Sequence, residues 1–185
     1  MNEIKTIALF GGSFDPPHIG HEAIVKAVLD LKEVDKVVVM PTFLNPFKNI
    51  SHASATLRLK WLKDIFLKYP KVEVSDYEVK QKQKVSTIDT VLYLLKSYKK
   101  VFLIIGADNL ASLHKWDRFD ELEKLVTFIL ATRDDLEIDN KFLKLDVDAK
   151  ISSTSLRKNI NIKHLPQQCA KECEKFYKEQ NAKQN

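Results

Sequence analysis

The sequence predicts an α/β protein, a parallel sheet with helices on both faces and a C-terminal helical portion from about Ser152 onward. Three observations predict it. Four short apolar runs read as buried strands, and three of them are rich in valine or isoleucine with little alternation, as strands covered on both faces are. Stretches with apolar residues at helical spacing lie between them. Strand and helix alternate along the chain, which implies right-handed crossovers between parallel strands.

The first run is Thr6 to Phe10, followed by a helical pattern over Gly20 to Leu31 with Ile24, Val25, Val28 and Leu29 on one face. Lys36 to Met40 is the second strand. Ala55 to Leu67 is the next helix, its face carrying Leu57, Trp61, Leu62 and Ile65. Val72 to Val74 is a weaker strand. Ile88 to Leu95 carries Val91, Leu92 and Leu95, and Ser86 with Asp89 three residues on has the form of a helix cap. Val101 to Ile105 and Val126 to Ala131 complete the strong strands, with Leu143 to Leu145 a weaker one. In such sheets ligands bind beyond the carboxyl ends of the strands.

The chain has 185 residues, which suits a single domain spanning 1–185, and 44% apolar residues are enough for a sizeable core. The polar end from Glu179 to Asn185 is expected to fray. The net charge is +5, but the basic residues are scattered with no run of five, and no basic stripe is interleaved with aromatics. That argues against nucleic acid as a partner. No segment approaches the ~18 apolar residues of a membrane span, and no signal-peptide pattern opens the chain, so a cytoplasmic location is expected. Cys169 and Cys173 lie one helical turn apart, poor geometry for a disulfide and too few ligands for zinc. They read as reduced, partly buried thiols.

The most unusual segment begins where the first strand ends. Gly11 to His21 reads GGSFDPPHIGH. The glycines let the backbone turn sharply and its amides approach a ligand. Pro16 and Pro17 stiffen the exit. His18 and His21 open the next helix on one side, beside free amides that suit a phosphate. Two glycines after a strand are an ordinary turn, and a lone histidine is ordinarily a surface or core residue. It is the whole combination that points to function.

This segment resembles the HxGH signature of the nucleotidylyltransferase superfamily, here His18-Ile19-Gly20-His21. The resemblance implies a Rossmann-like fold in which both histidines bind the triphosphate and stabilise charge at the α-phosphate without a covalent intermediate. Such a transfer is helped mainly by positioning and by donors around the phosphate oxygens. It also implies phosphate contacts from Gly11, Gly12, Ser13 and Phe14; Ser13 stands where the family commonly has threonine.

Four further segments resemble the nicotinate-nucleotide adenylyltransferase branch or its superfamily. Pro41 to Lys48 is similar to a loop that carries a basic residue toward phosphate, here Lys48, and Arg58-Leu59 also fits the pattern. Ser86 and Thr87 start a helix whose backbone, in that branch, recognises the nicotinate carboxylate. In Ile104 to Trp116, Gly106 ends a strand, Asp108 is placed to meet a ribose, and Trp116 with Asp117 beside it offers an indole for stacking on a pyridine ring. Ile151 to Arg157, ISSTSLR, matches the superfamily's second signature; Ser152, Ser153, Thr154 and Arg157 would grip the β- and γ-phosphates and the departing pyrophosphate. In the family's final helix a valine and a tyrosine follow a Leu-Pro pair. Leu165-Pro166 is present, with Cys169 and Cys173 near those positions. His52 and His164 read as structural or surface residues.

The resemblance covers residue 4 to about 160. It implies adenylyl transfer from ATP to nicotinate mononucleotide, giving deamido-NAD and pyrophosphate, with Mg²⁺ carried on the ATP phosphates, no metal site of the protein's own, and a monomer or a homodimer. Phosphopantetheine or nicotinamide mononucleotide as acceptor, or a nucleotide-binding regulator without catalysis, are the alternatives.

Overall fold

The structure is a computed structural model that describes residues 5–132, 142–147 and 151–183. Six parallel strands form one sheet: β1 (Thr6–Gly12), β2 (Lys36–Pro41), β3 (Val72–Val74), β4 (Lys100–Gly106), β5 (Val126–Thr132) and β6 (Phe142–Asp146), in the order β3-β2-β1-β4-β5-β6. The order reverses between β1 and β4. Connections from these two strands leave in opposite directions and open a crevice at their carboxyl ends.

The sheet is covered on both faces because successive side chains on each strand point to opposite sides. Ala8, Phe10, Val37, Val39, Phe102 and Ile104 face α1 (Ile19–Leu29), α2 (Ala55–Phe66), α6 (Ser153–Lys158) and α7 (Ala170–Ala182). Ile7, Leu9, Val38, Met40, Leu103 and Ile105 face α4 (Thr87–Leu94), α5 (Phe119–Leu125) and the 3-10 helix Ala107–Lys115, with the short α3 (Tyr77–Gln81) beside them. The absence of alternation in the apolar runs follows from burial on both sides.

Two expectations change. β1 continues past Phe10 through Gly12, and neither Gly11 nor Gly12 has a left-handed backbone. Phe14 turns the chain instead, at φ 49°. Gly12 is needed for space, since a Cβ there would stand 3.2 Å from the Phe14 ring. α3 and α5 are too short to show a helical period and had no distinct signal. Cys169 and Cys173 are both buried and free, and a hydrogen bond donated by Cys173 to Cys169, together with burial, pushes the Cys173 thiol up, keeping it neutral. No helix among the described residues is long and apolar enough to cross a membrane.

Candidate active site

A cavity of about 580 Å³ lies beyond the carboxyl ends of β1 and β4. That is room for a nucleotide-sized ligand. Its floor is the end of β1, Gly11 and Gly12, continued by Ser13 and Phe14. His18 is the N-cap of α1 and His21 lies on its first turn, so one capped helix start delivers both rings. The rings stack with centroids 3.6 Å apart, and the edge of Phe14 packs on His21.

This arrangement sets the chemistry of His21. The backbone N–H of His18 donates to its Nδ1 at 3.1 Å. Nδ1 is therefore an acceptor, and the neutral ring carries its proton on Nε2. Burial first, and the neighbouring His18 second, hold its pKa well below the ordinary value of 6.5. His21 is thus a neutral donor at neutral pH.

Lys48 closes the cavity from the loop after β2, its Nζ 3.5 Å from the Ser13 hydroxyl. Partial withdrawal from water lowers its pKa, and the nearby Arg157 guanidinium lowers it further. Two cations held together in this way favour an anion between them.

The second signature forms the start of α6. The Ser152 hydroxyl caps it by accepting from the Ser155 N–H, while Ser153 donates its hydroxyl to the Pro16 carbonyl at 2.8 Å. Ser152, Ser153 and Thr154 line the cavity. Arg157 stands beside that lining. It donates to the Asp15 carbonyl and, at 3.0 Å, to the Thr154 hydroxyl, fastening α6 to the first loop. A guanidinium has five N–H donors, so these two contacts leave others for a ligand.

Ser86, Thr87, Gly106, Trp116 and Asp117 also line the cavity. Ser86 accepts from the Asp89 N–H and donates to the Asp89 carboxylate at 2.7 Å. Its hydroxyl is committed to the cap, so the groups this helix start offers a ligand are its amides. Trp116 is half-buried against the α4 side of the core, leaving part of the indole at the cavity. Asp108 lies on the 3-10 helix, and its side chain is outside the described residues.

Three buried ionisable residues had gone without a role. Asp15 accepts from the Ser51 hydroxyl, the His52 and Ala53 amides, and the Tyr177 hydroxyl. Burial pushes its carboxyl up, but these bonds and Arg58 outweigh that and hold it below the ordinary range. Tyr177 thereby ties α7 to the loop that precedes His18. Arg58 is fully buried and donates to the carbonyls of Ser13, Thr42, Phe43 and Ala53. The signal for Arg58 was a charged residue in register with the buried stripe Trp61, Leu62 and Ile65. His52, besides its amide bond, has Nδ1 3.5 Å from the Asp15 carboxylate, a structural placement as expected.

Glu78 is the third. It lines the cavity from α3, and its Oε1 accepts from the Thr90 hydroxyl at 2.7 Å. Burial pushes its carboxyl up to about 7 from an ordinary 4.5, and the Thr90 bond offsets this only in part. The folded protein therefore keeps a proton that the unfolded chain loses above 4.5. Stability from the neutral form is complete below that value and is lost as pH rises through about 7. Glu78→Gln cannot ionise. Its stability relative to the parent is expected to rise by about 3 kcal/mol between about pH 5 and about pH 8, read from urea unfolding at each pH. A difference that stays flat with pH would contradict the assignment.

Among the described residues no group of three His, Cys, Asp or Glu gathers that could hold a metal ion.

Residues 9–159 match the family model described as Cytidylyltransferase-like. A relative from Sulfurimonas denitrificans named "Probable nicotinate-nucleotide adenylyltransferase" is 60% identical, over 97% of this chain and 99% of that protein. Relatives of the same name from Nitratiruptor sp. and Campylobacter fetus subsp. fetus are 47% and 45% identical; they cover 93% and 96% of this chain and 98% and 99% of their own. The solved structure of Plasmodium falciparum nicotinic acid mononucleotide adenylyltransferase complexed with NaAD shares the fold, with a TM-score of 0.70 at 22% identity and 83% of each chain covered.

Proposed function

The chain belongs to the cytidylyltransferase-like family, among its nicotinate-nucleotide adenylyltransferases, and from that membership we propose how its residues carry out the reaction. The enzyme transfers the adenylyl group of ATP to nicotinate mononucleotide, giving deamido-NAD and pyrophosphate in NAD biosynthesis. One observation carries the assignment of residues: the stacked His18–His21 pair and the Trp116–Ser86–Thr87 end line the same cavity.

A phosphate oxygen of nicotinate mononucleotide attacks the α-phosphorus of ATP in line. The bond from that phosphorus to the bridging oxygen breaks, and the electron pair leaves with pyrophosphate. His21 donates its Nε2–H, and His18 its ring, to the α-phosphate oxygens as charge grows there. The amides of Gly12 and Ser13 approach the triphosphate along the floor. Lys48, Arg157 and the start of α6 hold the β- and γ-phosphates and steady the leaving pyrophosphate. Asp108 meets a ribose, and Trp116 stacks on the pyridine while the Ser86 and Thr87 amides face its carboxylate.

Family members use a divalent metal with the nucleotide. We take that ion to be Mg²⁺, which would enter on the ATP phosphates and supply charge neutralisation there. The described donor set fits ligation by phosphate oxygens and water rather than by a protein cage. The enzyme works in the cytoplasm as a single domain.

The test is pyrophosphate release from Mg-ATP with nicotinate mononucleotide, nicotinamide mononucleotide and phosphopantetheine offered separately. A rate at least about tenfold higher with the first is expected. Preference for phosphopantetheine would keep the transfer chemistry and remove the roles given to Trp116, Ser86 and Thr87.

A further inference from the structure

Glu78 has no part in the adenylyl transfer just described, yet it is an acid inside the cavity. It is 5% exposed, lines the cavity together with Ser86, Thr87 and Trp116, and is bonded to Thr90 on the helix that Ser86 and Thr87 start. One oxygen, Oε1, accepts a hydrogen bond from the Thr90 hydroxyl at 2.7 Å. The other, Oε2, is buried with no hydrogen-bond partner among the described residues. A buried carboxyl without such a partner is costly in any state, and most costly when ionised.

We propose that Glu78 is a specificity-determining residue of the acceptor pocket: its Oε2 hydroxyl, covered in the free protein, turns onto the carboxylate of the pyridine mononucleotide and donates to it. The inference rests on the acceptor pocket proposed above. The Thr90 bond decides which oxygen is which: Oε1 is occupied as an acceptor, so the proton of the neutral acid belongs on Oε2. Burial, which pushes this carboxyl up to about 7, favours the neutral acid in the free protein, and an anionic ligand beside it favours that form further.

Selectivity follows from charge. A hydroxyl donating to a carboxylate makes a charge-assisted bond roughly twice as strong as one to a neutral amide carbonyl. An acid kept neutral by burial thus selects a carboxylate over an amide without a buried cation. The Ser86 and Thr87 amides supply the rest of the ring's recognition.

The experiment measures kcat/KM for nicotinate mononucleotide and for nicotinamide mononucleotide in the parent, Glu78→Gln and Glu78→Met. In the Met variant, similar in length but without a donor, the nicotinate-to-nicotinamide ratio is expected to fall by about tenfold or more. The Gln variant keeps an acceptor for Thr90 and an N–H donor, and should restore the ratio to within about threefold of the parent. Thr90→Val combined with Glu78→Met removes the hydroxyl left unpaired, so the prediction stays testable if the single variant does not fold. A purely structural role would lower both acceptors alike and leave the ratio unchanged, which overturns the proposal. So does a parental ratio retained in the Met variant, or one lost in the Gln variant. A parent that itself does not prefer nicotinate mononucleotide would overturn the acceptor assignment and this inference together.

Discussion

Turnover of His18→Ala is expected to fall by two or more orders of magnitude, with the KM for nicotinate mononucleotide changed little. The reason is the stage at which the ring acts. Charge accumulates on the α-phosphate oxygens in the transition state, and a preorganised donor there is worth about 2.7–4 kcal/mol of barrier. His18 also stacks on His21 and precedes the first turn of α1, so part of the loss passes through its neighbour. His18→Ala and His21→Ala should therefore be non-additive: the double variant falls by less than the product of the two single losses. The N-cap peptide remains in His18→Ala, so folding should cost only about 1 kcal/mol. Steady-state pyrophosphate release and a thermal melt separate the two effects. A turnover number within tenfold of the parent would remove His18 from the mechanism.

The largest loss of stability is expected from Arg58→Met, about 3–5 kcal/mol. Arg58 is fully buried, and its guanidinium donates to Ala53 O at 3.1 Å, Ser13 O at 2.6 Å, Thr42 O at 2.8 Å and Phe43 O at 2.9 Å. Removing it leaves four carbonyls without that donor and takes a counter-charge from the buried Asp15 carboxylate. These carbonyls belong to three segments near the part of the cavity lined by Ser13, Thr42 and Lys48: the loop after β1, the loop after β2 and the entry to α2. The KM for ATP should rise along with the loss of stability, because Ser13 and Lys48 are positioned through this hub. Arg58→Lys should recover little, since an ammonium has three donors and cannot span four carbonyls in a planar fork. Equilibrium urea unfolding of both variants is the check. A loss below about 1 kcal/mol in Arg58→Met would mean that the loops hold themselves in place.

The parts of the site that were legible in the sequence share one property: each is local. His18 and His21 are three residues apart at a helix start. Ser86 with Asp89 is a cap, and ISSTSLR is a capped helix carrying its own arginine. Spacing within a turn of helix determines such geometry before any tertiary contact forms. Arg58 was half legible. In the sequence it reads only as part of the family pattern; its register with Trp61, Leu62 and Ile65 is the signal for burial, but its four acceptors come from three separate segments. Glu78 and Asp15 carried no comparable signal. Glu78 meets Thr90 only when α3 packs against α4, and Asp15 meets Tyr177 across 162 positions of sequence.

By itself the sequence determined the parallel sheet, the capped helix starts and most of the singled-out groups that line the cavity, because hydrophobic period, turn residues and capping act over a few neighbours. The tertiary structure decided how those groups are committed. It spent the Ser153 hydroxyl on Pro16, turned two Arg157 donors onto Asp15 and Thr154, made His21 a neutral donor through the His18 amide, and enclosed Glu78 as an acid. The physical reason is that burial and hydrogen-bond partners set the state of an ionisable or polar group, and both depend on segments far apart in the chain.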